Sequence, residues 1–456
     1  MNKTKTRNID LLNGSIFTSL TSLAMPIMAT ALVQMAYNLT DMAWIGRVGS
    51  EAVTAVGTAG MYTWLSQGVV MFARMGGQVK VAHSLGEGNK KEAARYAGGA
   101  LQLGIFLAVC YAVISVLFAG PLIGFFGLEN QHTVQEAVLY MRITCGCIIF
   151  MYLNVIFTAI LTAAGDSKTS FQANVIGLIA NIILDPLLIF GIGPVPALGA
   201  AGAAIATVTA QAIVTLVFLI VIRKDQVIFD EVNIFSKTPG RYFKTMAKIG
   251  FPAAMQELIY CLISMGMTRL VVRWGDTGVA VQRVGSQIES ISWMTAEGFG
   301  AAVNSFIGQN YGAQRYDRVK KGYLTAVKTM VGWGAFCTAL LILVPGPIFR
   351  LFIHEPDVVP LGIDYLRIIG CSQLFMCIEL CTVGAFCGLG KTLPSSILSI
   401  VFTSARLPIA MLLSATALGI NGVWWAFAVT SIIKGVIFFA GFLAVLHRME
   451  KAQSQQ

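Results

Sequence analysis

About twelve apolar stretches, each roughly 20 residues or longer, run through this chain, and no other feature limits its fold as tightly. A helix needs about 20 residues to cross roughly 30 Å of hydrocarbon. The approximate limits are 16–44, 52–79, 97–119, 134–160, 171–192 and 199–222, then 247–272, 278–307, 323–344, 359–387, 394–417 and 419–446. In lipid every backbone N–H and C=O must be satisfied within the chain, so such stretches fold as helices. With 456 residues, 56% of them hydrophobic and 12% charged, the composition lies beyond that of soluble domains. The expected fold is an all-α polytopic membrane protein.

The stretches form two sets of six. Positions 26–86 return without insertion 226 positions later, at 252–312, pairing Pro26 with Pro252, Leu32 with Leu258, Arg47 with Arg273, Gly49 with Gly275, Val53 with Val279 and Gly86 with Gly312. The shared residues include backbone punctuators and an Arg-x-Gly connector, placed at corresponding points of two spans. A later register agrees: Tyr140-Met141-Arg142-Ile143 resembles Tyr365-Leu366-Arg367-Ile368, and Leu198-Gly199-Ala200-Ala201-Gly202 resembles Leu418-Gly419-Ile420-Asn421-Gly422. Six spans per half give both halves one orientation, a parallel repeat about an axis along the membrane normal, as in some transporters. The expected domains are an N-lobe over 1–222, an inter-lobe linker over 223–245 and a C-lobe with its tail over 246–456.

Charge sets the orientation. Cations cluster at Lys3, Lys5 and Arg7; at Lys80, Lys90, Lys91 and Arg95; at Arg223, Lys224, Lys237, Arg241, Lys244 and Lys248; and at Arg315, Arg318, Lys320 and Lys321. All fall on one side of the span pattern, while the opposite connectors supply Arg47, Arg273 and Arg350. The positive-inside rule then puts both termini and the linker in the cytoplasm of a cell-membrane protein. The net charge of +10 is accounted for by loops that face anionic lipid, with no nucleic-acid partner. The first apolar segment lacks a small-residue cleavage site and is expected to stay as the first span. Residues 9–22 carry Leu11, Leu12, Ile16 and Phe17 at helical spacing, which fits an interfacial segment or a helix start.

Several chemistries are excluded. Nine cysteines lie scattered through spans without metal-ligand spacing and read as small buried hydrophobes. The histidines, His83, His132, His354 and His447, fall in connectors or the tail, and no nucleophile, base and acid arrangement is visible. There is no phosphate-binding loop, so ATP hydrolysis and enzymatic function generally are not expected.

The intramembrane ionisable groups carry the functional signal, because each costs on the order of 2.5–3.5 kcal/mol at a helix centre. In the first span Gln34, Tyr37, Asn38 and Asp41 fall three or four residues apart, a polar stripe on an apolar helix. In the fifth, Asn181 precedes Asp185 by one turn, and Pro186 leaves a backbone carbonyl without its usual donor. Asn154 in span four and Thr207 or Thr209 in span six are candidates to complete the pocket. Two carboxylates among amide, hydroxyl and carbonyl oxygens suit a hard cation or an exchangeable proton. The plainer alternative is that the acids pair with Arg74.

The second half departs from this pattern. Asp41 corresponds there to Met267, and Asn181 and Asp185 correspond to Arg406 and Ala410. It carries instead Glu257, Arg269, Arg283, Glu289, Glu297, Arg367, Glu379, Arg406 and Lys434, whose mixed signs argue for internal ion pairs, with Glu257 and Arg406 facing the cavity. Pro26 removes the backbone hydrogen bond to Ser22 and marks a kink or moving part, whereas Pro252 is placed near the first turn of its span. Met28, Met35, Met61, Tyr62, Trp64, Trp293 and Met294 offer adaptable apolar surface for a cavity or ordinary packing.

These residues bring out a resemblance to the multidrug and toxic compound extrusion (MATE) family over nearly the whole chain. It rests on Met25-Pro26, Asp41-Met42-Ala43-Trp44-Ile45-Gly46 with Gly49, and Leu85-Gly86-Glu87-Gly88 with Ala93. In the second half it rests on Gln287-Ile288-Glu289-Ser290, Gly298-Phe299-Gly300 and Gly308-Gln309-Asn310-Tyr311-Gly312-Ala313. The chain looks most similar to the bacterial DinF-like branch. The resemblance implies two six-helix lobes around a central cavity, working as a monomer that exports small amphipathic, often cationic, compounds in exchange for Na+ or H+ and needs no other cofactor. It also implies a cation site at Asp41, Asn181, Asp185 and Thr207, these acids and the amide being the ligands if the ion is Na+, with Gln34, Tyr37, Asn38, Asn154, Met28 and Met61 lining the substrate cavity. Branches with a C-lobe acidic site carry a glutamate where this chain has Tyr260, and Glu257, one turn early, does not inherit that role. The other readings are a flippase for a lipid-linked precursor from the wider superfamily and, further away, a membrane-embedded enzyme or receptor scaffold.

Overall fold

A computed structural model describes residues 9–128, 130–191, 196–222, 232, 238–352, 355, 356 and 358–454. Lys3, Lys5, Arg7, Arg223, Lys224, Lys237 and His354, with most of the expected linker, lie outside them. Among the described residues regular structure is helical: α1 Ile16–Val48, α2 Ser50–Gly86, α3 Lys90–Leu117, α4 Ala119–Gly124, α5 Gln131–Gly146, α6 Ile149–Ala163, α7 Ser167–Ile189 and α8 Gly199–Ile222. The second half adds α9 Gly240–Val271, α10 Gly275–Gly312, α11 Tyr316–Leu343, α12 Pro345–Arg350, α13 Val359–Gly370, α14 Gln373–Gly388, α15 Thr392–Ser414 and α16 Ile420–Ser454.

Eight of these helices are long and apolar enough to cross a membrane, and ten spans result if each bent pair counts once. The remaining two long helices, α2 and α10 at 37 and 38 residues, carry more charge: Glu51, Arg74 and Lys80 in one, Arg283, Glu289 and Glu297 in the other. Two helical sets of six therefore stand behind the duplicated sequence. Each expected fourth span is a broken helix rather than a straight one. Helices α5 and α6 meet at 44°, and α13 and α14 at 47°. Small residues, Gly146 and Gly370, end the first member of each pair, and side chains catch carbonyls near the breaks. Thr144 donates to the Tyr140 carbonyl at 2.9 Å, and Ser372 to that of Ile369 at 2.8 Å.

The repeated Arg-x-Gly connector has a backbone reason. Gly49 joins α1 to α2 at φ +146°, and its counterpart Gly275 opens α10 at φ +74°, after a short 3-10 turn over Val272–Trp274. Both lie in territory that side-chain-bearing residues rarely enter, so the chain reverses there only with glycine.

By contacts the chain forms two compact units. Unit 1 holds Ala29–Ala254 and the described Ile9; unit 2 holds Asp10–Met28 and Met255–Gln456. Both changes of unit fall inside a helix, two residues beyond Pro26 in α1 and two beyond Pro252 in α9. Pro252 is therefore an interior proline, not a first-turn one. The reason is that α9 begins at Gly240, continuing through Arg241 to Lys248 ahead of the apolar span. Residues 11–14 form a turn rather than part of an interfacial helix, with the Asp10 carboxylate accepting from the Leu12 and Asn13 N–H groups at 3.0 and 2.9 Å.

Within each unit small residues let helices approach closely, the packing mode of helices that gain no hydrophobic drive from lipid. In unit 1, Ala73, Gly77, Ala82, Ala93, Ala97 and Ala100 line the buried face between α2 and α3. In unit 2 the backbone of Gly384 on α14 touches Gly300 on α10, and a Cβ there would collide with the Gly300 carbonyl. Outward faces stay apolar: Phe106, Val109, Val113 and Leu117 form an exposed stripe at helical spacing on α3. The cationic connectors are tied locally. In unit 1 the buried Tyr242 donates to Glu92 at 2.9 Å; in unit 2 Asn310 and Arg318 both donate to the carbonyl of Leu11, at 3.0 and 3.1 Å.

Candidate ion and substrate site

Helix α7 puts Asn181 and Asp185 one turn apart on the face that packs on α8, and both are fully buried. The Asn181 amide donates to Asp185 Oδ1 at 3.0 Å. That single donor leaves Asp185 Oδ2 and Asn181 Oδ1 buried with no hydrogen-bond partner. From α1, Asp41 adds its buried and unpartnered Oδ1, and the Tyr37 hydroxyl is likewise buried and unpartnered. Asp41 and Asp185 lie within electrostatic range of each other, and both lie within range of Tyr37 and of Tyr140 on α5. The Thr207 hydroxyl of α8 approaches the Tyr37 phenol without completing a well-formed hydrogen bond, whereas Thr209 turns back to its own helix, donating to the Ile205 carbonyl at 2.7 Å.

The sequence left open whether Arg74 neutralises these acids. Among the described residues no lysine, arginine or histidine makes an ion pair with Asp41 or Asp185. Each unpartnered buried carboxylate oxygen would cost several kcal/mol if it stayed both charged and alone. The cluster is thus rich in acceptors and short of donors.

Other candidates fall around this cluster or away from it. Tyr37 and Gln34 line a crevice of about 10 Å³, with Gly177, Ala210 and Gln211 among its other walls, which is room for about one water. Asn154 stands behind that wall. Its amide donates to the Gln211 carbonyl and side-chain oxygen at 2.9 and 2.8 Å, and its own oxygen accepts from Thr215 at 2.8 Å, so it orients Gln211. Asn38 is exposed and Met61 is 45% exposed. Met28 belongs to unit 2, where it packs against Gly298. The residue missed by pattern reading is Tyr140, although it had a signal: it heads a duplicated tetrad, and its counterpart Tyr365 also faces an acid, donating to Glu289 Oε2 at 3.4 Å.

Two of the mixed charges of unit 2 meet in its interior. The buried ion pair joins Lys434 of α16 to Glu379 of α14, with Nζ to Oε1 at 2.6 Å and both side chains 7% exposed. Arg406 donates to two hydroxyls, Nε to Thr430 at 3.0 Å and Nη2 to Ser431 at 3.1 Å, and its guanidinium lies 5.1 Å over the Phe427 ring.

Two helical sets of six with ionisable groups held inside them are the architecture of a membrane transporter, not of an enzyme. The MatE family profile matches residues 26–187 and 252–412, the two stretches that the repeat marks, and the chain belongs to that family. It is 26% identical to a probable multidrug resistance protein NorM of Thermotoga maritima, over 93% of this chain and 92% of that protein. It is 27% identical to a probable multidrug resistance protein YoeA of Bacillus subtilis, over 90% of each, and 23% identical to an FAD transporter of Shewanella oneidensis, over 93% and 94%. Among solved structures the fold matches a MATE protein in its bent conformation with a TM-score of 0.91 at 23% identity, covering 99% of this chain and 100% of that one. The straight conformation matches at 0.90 and 24% identity, covering 98% and 99%.

Proposed function

We propose that this multi-pass membrane protein is an antiporter that exports amphipathic, often cationic, organic compounds by alternating access, driven by Na+ or H+ entering at Asp41, Asn181, Asp185 and Thr207. The observation that carries the reading is the set of buried oxygens without donors: Asp41 Oδ1, Asn181 Oδ1 and Asp185 Oδ2, with the Tyr37 phenol beside them. A Na+ would be coordinated by these acceptors together, a proton on one carboxyl would be donated to a second acceptor, and loss of either leaves the oxygens unsatisfied. Occupancy of the site is thereby linked to the packing of α1 against α7 and α8. One charge moved across 100 mV supplies about 2.3 kcal/mol, comparable with a coupling energy of ~1–3 kcal/mol. The names of the Thermotoga and Bacillus relatives support drug-like substrates. Both termini are cytoplasmic in this reading, as the cationic connectors require, and the chain works as a monomer in contact with membrane lipid.

The test is efflux of a fluorescent amphipathic cation from proteoliposomes, with sodium and proton gradients imposed separately. The wild type responds to one or both gradients, and Asp41→Asn and Asp185→Asn each lose that response. Undiminished gradient-driven efflux in both variants would refute the assignment, and movement of a lipid-linked precursor in place of the dye would favour the flippase reading.

A further inference from the structure

The opening of α9 has two faces with different surroundings. Tyr242, Met246 and Ile249 are buried on one, and tight glycine contacts seat that face on α2: a Cβ on Gly76 would strike the Met246 backbone, and one on Gly250 the Phe72 carbonyl. The opposite face carries Arg241, Lys244, Lys248 and Phe251, three or four residues apart and all exposed. Cations fill its head, and an apolar ring follows. Phe251 is 55% exposed and meets Phe72 of α2 edge-on, with ring centroids 6.2 Å apart. All of these residues belong to unit 1.

Helix α3 brings a further exposed cation to the head of this face. Arg95 Nη1 and Arg241 Nη2 both donate to the Tyr242 hydroxyl, at 3.4 and 3.2 Å, and that hydroxyl donates its own proton to Glu92 Oε2 at 2.9 Å. The phenol is neutral, so it gathers the two guanidiniums without cancelling their charge. Among the described residues, none of Arg95, Arg241, Lys244 and Lys248 makes an ion pair. Two exposed guanidiniums gathered at one oxygen match the oxygens of a phosphate diester, and hydrogen bonds of that kind are among the strong ones. Phe251 lies about 15 Å further along the helix than Arg241, at about 1.5 Å per residue, which is acyl-chain depth below a headgroup.

We infer that this face is a docking site for one anionic phospholipid, with its phosphate on Arg95 and Arg241, Lys244 flanking the headgroup and an acyl chain along Phe251. The headgroup then fastens the opening of α9 to α3. The order of the face favours a lipid over a soluble phosphate, because the cations and the exposed ring follow one another along a single line of α9. The site is independent of the export reading and rests on the proposed topology only for its leaflet, the cytoplasmic one. The alternative is that these cations attract the membrane surface in general, as any exposed lysine or arginine does.

Native mass spectrometry of the full-length protein, released from micelles that hold phosphatidylglycerol and phosphatidylcholine in equal amounts, separates the two. The wild type should retain one phosphatidylglycerol with a preference of about fivefold or more. Arg95→Gln combined with Arg241→Gln should bring that preference to within about twofold of parity, and the paired lysine variants, Arg95→Lys with Arg241→Lys, should keep part of it. Lys244→Gln, which leaves the hydrogen bonds to Tyr242 in place, should lower the preference as well, so the outcome does not hang on the folding of the double variant. Lys321→Gln with Arg448→Gln removes exposed cations of unit 2 and should leave it unchanged. Absence of the preference in the wild type overturns the inference without any variant, as does an equal loss in the unit 2 variant. Displacement of the lipid by inorganic phosphate at matched concentration also overturns it, and makes the site one for a soluble anion.

Discussion

Tyr140 in unit 1 and Tyr365 in unit 2 occupy corresponding places in the duplicated sequence, and each stands near acid, Asp41 and Asp185 for the first and Glu289 for the second, but the buried acids of the two units live under opposite rules. In unit 1, Asp185 has one amide donor, Asn181, and both Asp185 and Asp41 present a buried oxygen that none of the described residues satisfies. In unit 2, Glu379 meets an ammonium at 2.6 Å supplied by Lys434. The first arrangement leaves its acceptors open, which is what the proposed ion exchange uses; the second has its countercharge on a side chain of the same unit. The two copies share the helices, the glycine connectors and the tyrosines, while the unpartnered pair of aspartates belongs to unit 1.

The largest effect expected from this contrast is functional. Asp185→Asn should cut gradient-driven efflux by about tenfold or more, in line with a coupling energy of ~1–3 kcal/mol. The double variant Glu379→Gln with Lys434→Met should leave the rate within about twofold. If the double variant uncouples transport as Asp185→Asn does, the contrast collapses and both units carry ions.

Next comes stability. Lys434→Met alone strands the Glu379 carboxylate in the core and should cost about 3–5 kcal/mol, read as a lower apparent Tm in detergent, with Glu379→Gln on top recovering most of it. A smaller loss, about 1–3 kcal/mol, is expected for Gly384→Ala, which pushes α14 off Gly300 of α10. Unchanged melting there would show that the two backbones yield freely.

The smallest expected effect lies at the start of unit 2. The N–H groups of Asn13 and Leu12 hold the Asp10 carboxyl below its ordinary 3.8, with Asn13 the larger influence and slight burial opposing it. A carboxyl lowered by folding stabilises above its unfolded value, and that contribution vanishes as pH falls through the lowered one. Asp10→Asn should therefore cost about 0.5 kcal/mol near pH 7, since the group is exposed and screened, and nothing measurable near pH 2. A penalty that persists in acid would assign the effect to packing rather than charge.

Much of this was legible in the chain. Pro26 and Pro252, and Gly49 and Gly275, mark the repeat because backbone geometry tolerates few alternatives at such points. Asn181 and Asp185 were readable as neighbours because four residues make one helical turn. The bends at Gly146 and Gly370 were not, since apolar periodicity runs through them unbroken. Nor was the Lys434 to Glu379 pair, whose members are remote in sequence and meet only through the packing of α14 against α16. Asn154 carried the right chemistry for a pocket wall, but only the structure shows that it acts through Gln211.

The hand-over inside α1 and α9 bears on how such a chain can be divided. A cut in the linker leaves the first fragment carrying Asp10–Met28, which packs with the second fragment's helices, while the second carries the opening of α9 that belongs to unit 1. Neither product holds a whole unit, so neither is expected to be stable unless both are made together. The same holds for half of such a gene before fusion: its product would lend the start of its first helix to a second copy and be complete only as an exchanged pair.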